Sequence, residues 1–254
     1  MLMSLDPLTL LLFGSGLWAG FQNTIAGGGS FITLPALILA GLSPLDANVT
    51  SCVALFPMQV TTGIAGRKLI TGVGRLPFWG LFILSVLGGA LGGLLLLWTP
   101  SKIFTALVPY LVLFATGVFA WGSFFRKSST QHRPIGPFLA GWNQFLIAIY
   151  GGYFGGGIGF LMMAALTVAG LGPRHAGATK NALAAVMNAS AVILFVTSPR
   201  LHWMEAGVLG TGGILGGLLG TWALFRIPER FLRISIVMIG LLLTVALFIY
   251  HPGE

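Results

Sequence analysis

Charge is what this sequence has least of. Of 254 residues only 7% are Asp, Glu, Lys or Arg, with just five acids. A water-soluble domain carries roughly 25% charged residues. So small a polar complement cannot cover a water-facing surface, which excludes an ordinary soluble domain. Cysteine is also nearly absent: Cys52 stands alone inside an apolar stretch. An intrachain disulfide is therefore excluded, and Cys52 reads as a small packing residue. The first apolar run, from Leu8, is preceded by Asp6 and not by a basic segment, so it reads as a retained helix and not as a cleaved leader.

The residues that carry catalysis are missing as well. "AGGGS" lacks the Gly-Lys-Ser/Thr of a nucleotide-binding loop, and "GGGIGF" follows an apolar helix, not a strand. His132, His175, His202 and His251 are scattered without metal-ligand spacing. No Gly-x-Ser-x-Gly elbow occurs. The reading is no enzyme, no cofactor and no metal. The net charge of +8 resides in short loops between apolar runs, where orientation signals sit, so nucleic acid is not expected as a partner.

What is abundant is hydrophobicity, 56% of the chain. It falls into ten segments, about 8–26, 30–41, 48–64, 77–98, 103–122, 137–155, 159–170, 176–197, 203–225 and 231–250. A helix needs ~20 residues to cross a bilayer. Most segments reach that length. Segments 30–41 and 159–170 fall short, and each follows a glycine cluster. They read as half-helices or arms of re-entrant hairpins.

The two halves repeat. With an offset of 129 residues, "AGGGSFITLPALILAGLSPLDANVTS" (26–51) aligns with "GGGIGFLMMAALTVAGLGPRHAGATK" (155–180) at 11 identities in 26 positions. With an offset of 124, "GGALGGLL" (88–95) aligns with "GGILGGLL" (212–219). Shared composition does not reproduce this order, so the reading is a duplication. Repeats span 1–125 and 137–254, joined by a hydrophilic linker at 126–136. The "GGxxGG" glycines, four apart on a helix face, suit close helix packing in lipid.

The expected fold is therefore all-α and integral to the membrane, with two inverted repeats of about five segments each. Eight to ten helices are expected, with broken or re-entrant half-helices at the glycine motifs. An odd number of crossings per half gathers Arg67, Lys68, Arg75, Arg126, Lys127, Arg133, Arg174, Arg226, Arg230 and Arg233 on one side, against Lys102 and Arg200 on the other. A model with four crossings per half divides the cations seven to five. The positive-inside rule favours the first.

A helix that begins inside the membrane presents unpaired N–H groups and the positive end of its dipole. Gly27, Gly28 and Gly29 let a ligand approach that backbone, and Ser30 adds a hydroxyl. Gly155, Gly156 and Gly157 form the second copy. Two such ends facing one centre favour an anion. Tight turns or packing contacts are the alternative for these glycines. "DANVTS" (46–51) and its copy "HAGATK" (175–180) contribute Asn48, Thr50, Ser51, Thr179 and Lys180, followed by Asn181. A cation within a membrane segment costs roughly 2.5–3.5 kcal/mol on insertion scales. Lys180 therefore faces a cavity or snorkels to the surface. Gln22, Asn23, Gln59, Asn143, Gln144 and Asn188 either line a pathway or bond between helices. Asp46, His175 and Glu205 lie near segment ends, where solvated loop residues are expected.

On these two glycine motifs and the alanine- and threonine-bearing stretches after them, the sequence resembles the TauE/SafE family of sulfite exporters and 4-toluene sulfonate uptake permeases. The weaker "GGxLGGLL" helices extend the resemblance over nearly the whole chain. The resemblance implies a multi-pass permease of the cell inner (plasma) membrane that moves a small sulfur-containing anion. Sulfite, thiosulfate, sulfoacetate and other organosulfonates are the class. The glycine motifs carry over to Gly27, Gly28, Gly29, Gly155, Gly156 and Gly157, and the second-half Thr-Lys pair to Thr179 and Lys180. In the first half, Ser51 replaces the asparagine that follows the threonine in many members. Expected partners are that anion and membrane lipid, with a homodimer left open. An anion channel and a non-transporting structural membrane protein are the competing readings.

Overall fold

The computed structural model describes residues 6–25, 28–121, 136–223 and 229–249. Gly27 and most of the 126–136 linker lie outside them, as do Arg126, Lys127, Arg133 and Arg226. Ten α-helices make up the described fold: α1 (Pro7–Ile25), α2 (Ser30–Leu39), α3 (Pro44–Ala65), α4 (Phe78–Trp98), α5 (Ser101–Ala120), α6 (Pro137–Tyr153), α7 (Ile158–Val168), α8 (Pro173–Phe195), α9 (Trp203–Ala223) and α10 (Glu229–Ile249). A 3-10 turn at Arg67–Leu69 follows α3. The described residues contain no strand beyond an isolated bridge between Val73 and Leu76.

The two short segments are separate helices of 10 and 11 residues, too short to cross a bilayer. Their ends explain much of the repeated motif. Gly28 (φ 77) and Gly157 (φ 75), equivalent in the repeat, both take the left-handed conformation that breaks the chain before α2 and α7. At the other end, Gly41 and Gly170 are left-handed too, and Leu42 and Leu171 bond back to the carbonyls of Leu37 and Leu166 at 3.1 and 3.0 Å. That is a Schellman stop at both copies. Pro44 and Pro173 then open the next helix, where a missing N–H costs nothing. Ala-Gly-Leu-x-Pro is thus the turn between a half-helix and its long successor.

The "GGxxGG" helices interlock the halves. In α4, Gly88 and Gly92 lie against Phe145, Ala148 and Ile149 of α6, while Gly89 and Gly93 lie against Met187 and Ala191 of α8. In α9, Gly212 and Gly216 lie against Phe13 and Leu17 of α1, while Gly213 and Gly217 meet Leu55 and Met58 of α3. Adjacent glycines on a helix point ~100° apart, so each pair serves two neighbours. A Cβ on Gly92 would strike the Ile149 carbonyl oxygen, which fixes glycine there.

The same contacts give directions. Along α1 and α9 the matched positions rise together (Gly16 with Leu209, Gly20 with Gly213), as they do along α4 and α6. Along α3 and α8 they run oppositely: Gln59 meets Asn188, Gly63 meets Ala182 and Gly66 meets Ala178. Along α5 and α10, Tyr110 meets Phe248 edge to face and Thr116 touches Gly240, again oppositely.

Among the described residues, three helical stretches are long and apolar enough to cross a membrane by length and composition: Phe78–Trp98, Ser101–Val118 and Arg174–Phe195. In α4 the exposed Trp79 and Trp98 stand 19 residues apart. That is about 28 Å at 1.5 Å per residue, close to a hydrocarbon core bounded by interfacial aromatics. The buried core is built around α2, α3 and α5, with Phe31, Leu37, Leu45, Leu55 and Phe104 fully enclosed. A second cluster joins α6, α7 and α8.

Candidate functional site

Where α7 begins, the chain leaves α6 through two left-handed glycines, Gly155 and Gly157, and starts the helix at Ile158. No side chain caps this end, so its first N–H groups are left for other acceptors. Ile158 and Gly159 form one wall of a small recess that opens to its surroundings. Lys180, Asn181 and Ala184 of α8 form the next wall. Gln59 and Thr62 of α3 and Asn23 of α1 complete it. Lys180 is half-buried and brings the positive charge; no carboxylate stands among these residues.

The first glycine break is adjacent. Asn23, which lines the recess, accepts a hydrogen bond from the Gly29 N–H at 3.3 Å through its Oδ1. A side chain on Gly157 would meet the ring of Phe31, in the first turn of α2, and Ala115 of α5. The first turn of α2 thus packs near the start of α7, and the Gly29 N–H is already taken by Asn23. At the heart of the molecule, Asn188 Nδ2 donates to Gln59 Oε1 at 2.6 Å. These residues are 129 apart, the repeat offset, so the bond sits where the two repeats meet.

The residues named from the sequence separate into two groups. Lys180 and Asn181 line the recess directly, and Gly157 and Gly29 are one step from it. Gly28, Gly155 and Gly156 shape the two breaks, and Ser30 is the first, partly buried residue of α2. The second group is occupied elsewhere. Thr179 accepts from the Thr71 N–H at 3.1 Å and donates to the Thr71 carbonyl at 3.2 Å. Its counterpart Thr50 accepts from the His202 N–H at 3.3 Å. Both threonines thus fasten the loop that leads into the fourth helix of the opposite half. Ser51 is buried and shares a 2.6 Å hydrogen bond with Thr33. Asn48 is buried and donates to the Tyr153 carbonyl at 3.1 Å, at the end of α6.

The other polar residues divide likewise. Asn23 and Gln59 line the recess. Gln144 bonds Ser85 at 2.8 Å and, with Asn143, borders a smaller and mostly apolar recess between α4, α6 and α7. Gln22 is fully buried in α1. Thr62 and Gly159 were not singled out by sequence; Gly159 is legible only as the repeat partner of Ser30, and Thr62 carries no signal of its own. Asp46, His175 and Glu205, expected as solvated loop residues, stand instead in the first turns of α3, α8 and α9: Asp46 pairs with Arg200 at 3.3 Å, and His175 is exposed.

The described helices turn many large apolar side chains outward around a recess that holds one cation, amides and a bare helix start. The chain belongs to the TauE/SafE family: the family model "Sulfite exporter TauE/SafE" matches residues 12–247. It is a membrane transporter of that family. Among its relatives is a "Probable membrane transporter protein" of Haemophilus influenzae, 28% identical over 256 residues, covering 97% of this chain and 96% of the relative. The "Probable membrane transporter protein ORF9" of a Sinorhizobium species is 30% identical over 244 residues, covering 94% and 92%. The "Probable membrane transporter protein YfcA" of Escherichia coli K12 is 28% identical over 268 residues, covering 100% and 94%. No solved structure gives a significant match.

Proposed function

We propose that this protein is a multi-pass permease of the inner (plasma) membrane that moves a small sulfur-containing oxyanion by alternating access. Sulfite, thiosulfate, sulfoacetate or another organosulfonate is the class of substrate. The observation that carries the reading is the convergence of Lys180 and Asn181 on the uncapped start of α7, beside the break that begins α2. An oxyanion there accepts hydrogen bonds from backbone N–H groups, amides and an ammonium. Such charge-assisted bonds are the strong ones. The recess lies toward the side of Arg67, Lys68 and Arg174, because Gly66 packs on Ala178 and the Arg67–Leu69 turn packs on α8. A basic vestibule raises the local anion concentration. Sulfur enters through the family's description as sulfite exporters.

The repeats are read as inverted. What supports this is the antiparallel course of the equivalent pairs α3/α8 and α5/α10, together with the exchange-symmetric packing of α1 on α9 and α4 on α6. Inverted repeats with broken helices at the midplane are a recurrent transporter plan.

The test is flux of radiolabelled sulfite and sulfoacetate into proteoliposomes. Saturable uptake is expected for the wild type. For Lys180→Gln, which removes a charged contact of ~1.5–3 kcal/mol, a fall of at least about tenfold is expected, with partial recovery in Lys180→Arg. Full flux in a protein carrying leucine at both Gly28 and Gly157 would refute the site, and unitary currents in planar bilayers would replace the carrier by a channel.

A further inference from the structure

The recess fills only one of two places that the repeat makes equivalent. Subtracting 129 turns Ile158, Gly159, Lys180 and Asn181 into Gly29, Ser30, Ser51 and Cys52, and adding it turns Gln59 into Asn188. Cys52 lies two turns before Gln59 on α3, and Asn181 lies two turns before Asn188 on α8. Because α3 and α8 run antiparallel and bond at Gln59–Asn188, Ser51 and Cys52 lie on one side of that bond and Lys180 and Asn181 on the other. One side is open. The other is filled: Leu55 replaces Ala184 and is buried, and Ser51 is buried against Thr33.

A latch stands over the filled side. Arg200, in the loop between α8 and α9, bonds Asp46 at 3.3 Å and Ser101 at 3.1 Å. It ties that loop to the starts of α3 and α5. The repeat counterpart of Asp46 is His175, which is exposed, so the same carboxylate latch cannot form over the open side.

We infer that the collapsed set around Ser30, Ser51, Cys52 and Asn188 is a second substrate half-site, for the same small oxyanion, which opens to the Asp46–Arg200 face as the Lys180 recess closes. The Asp46–Arg200 pair is the latch that holds it shut. This rests on the alternating-access reading above. The chain's single cysteine stands in the half-site and reports on it directly, with no engineering needed.

The experiment measures modification by a membrane-impermeant cationic methanethiosulfonate applied to one face of proteoliposomes at a time. Two proteins are compared, wild type and Asn181→Cys in a Cys52→Ala background. Cys52 is expected to react only from the Asp46–Arg200 face, and residue 181 only from the face of Arg67 and Lys68. Asp46→Asn, and separately Arg200→Gln, should raise the Cys52 rate about tenfold and lower the residue-181 rate in step. Two variants guard against one that fails to fold, and monodisperse elution checks each. Modification of both positions from one face, or a Cys52 rate unmoved by either variant, overturns the inference. Sulfite flux measured on the wild-type preparation, which keeps Asn181, separates the two claims. Flux without reciprocal labelling defeats the half-site and leaves the permease, whereas reciprocal labelling without flux of sulfite or sulfoacetate defeats the substrate reading alone.

Discussion

Gly157 shows what a single residue contributes. It is left-handed, and a Cβ would come within 2.9 Å of the Ala115 side chain and 3.6 Å of the Phe31 ring. Left-handed backbone costs a residue with a side chain roughly 1–2 kcal/mol before any crowding. Gly157→Ala should therefore lower the melting temperature measurably. Gly117→Ala, in open space within α5, should leave it unchanged or raise it. An unchanged melting temperature for Gly157→Ala would mean that the break is not fixed by its glycine. At this scale the sequence is a partial guide. Lys180 is legible because a cation inside an apolar segment has few places to go. Thr50 and Thr179 are not legible, although they match in the repeat. Their identity marks a conserved job within the duplication, but the loops they clamp lie 152 and 108 residues away, beyond any local pattern.

Among the elements, the half-helices were readable: their length, glycine starts and Ala-Gly-Leu stops are all local properties, and α2 and α7 sit where the pattern puts them. The glycine-paired helices were readable only in kind. Spacing says that α4 and α9 pack closely on something, and it suggests one face. The structure uses two faces, one toward the first helix of the other half and one toward its third. Partner identity is a tertiary fact that spacing does not encode. Inserting bulk where backbones touch costs ~1–3 kcal/mol or more, since neither backbone can yield. Gly92→Val should accordingly abolish monodisperse protein after detergent extraction, whereas Gly207→Ala, with nothing within 4 Å of its Cβ in α9, should behave as wild type. Normal folding of Gly92→Val would mean that α4 and α6 are not held at the observed separation.

For the molecule as a whole, the duplication and its ten segments are visible in the sequence, because repeated order survives divergence. The interlocking is not. Each half sends its fourth helix into the other, so neither half buries its own small-residue faces. The Gln59–Asn188 bond, set where the repeats meet, becomes recognisable only once α3 and α8 are seen to cross. The central proposal is that an oxyanion is held between the halves beside Lys180, Asn181 and the start of α7. The most direct test is a ligand-bound structure with selenite, the heavier analogue of sulfite, located by its anomalous scattering. The expected result is a single selenium peak within hydrogen-bonding reach of Lys180, Asn181 and the first N–H groups of α7. A peak elsewhere in the chain, or an empty recess in protein that transports selenite at full rate, would contradict it.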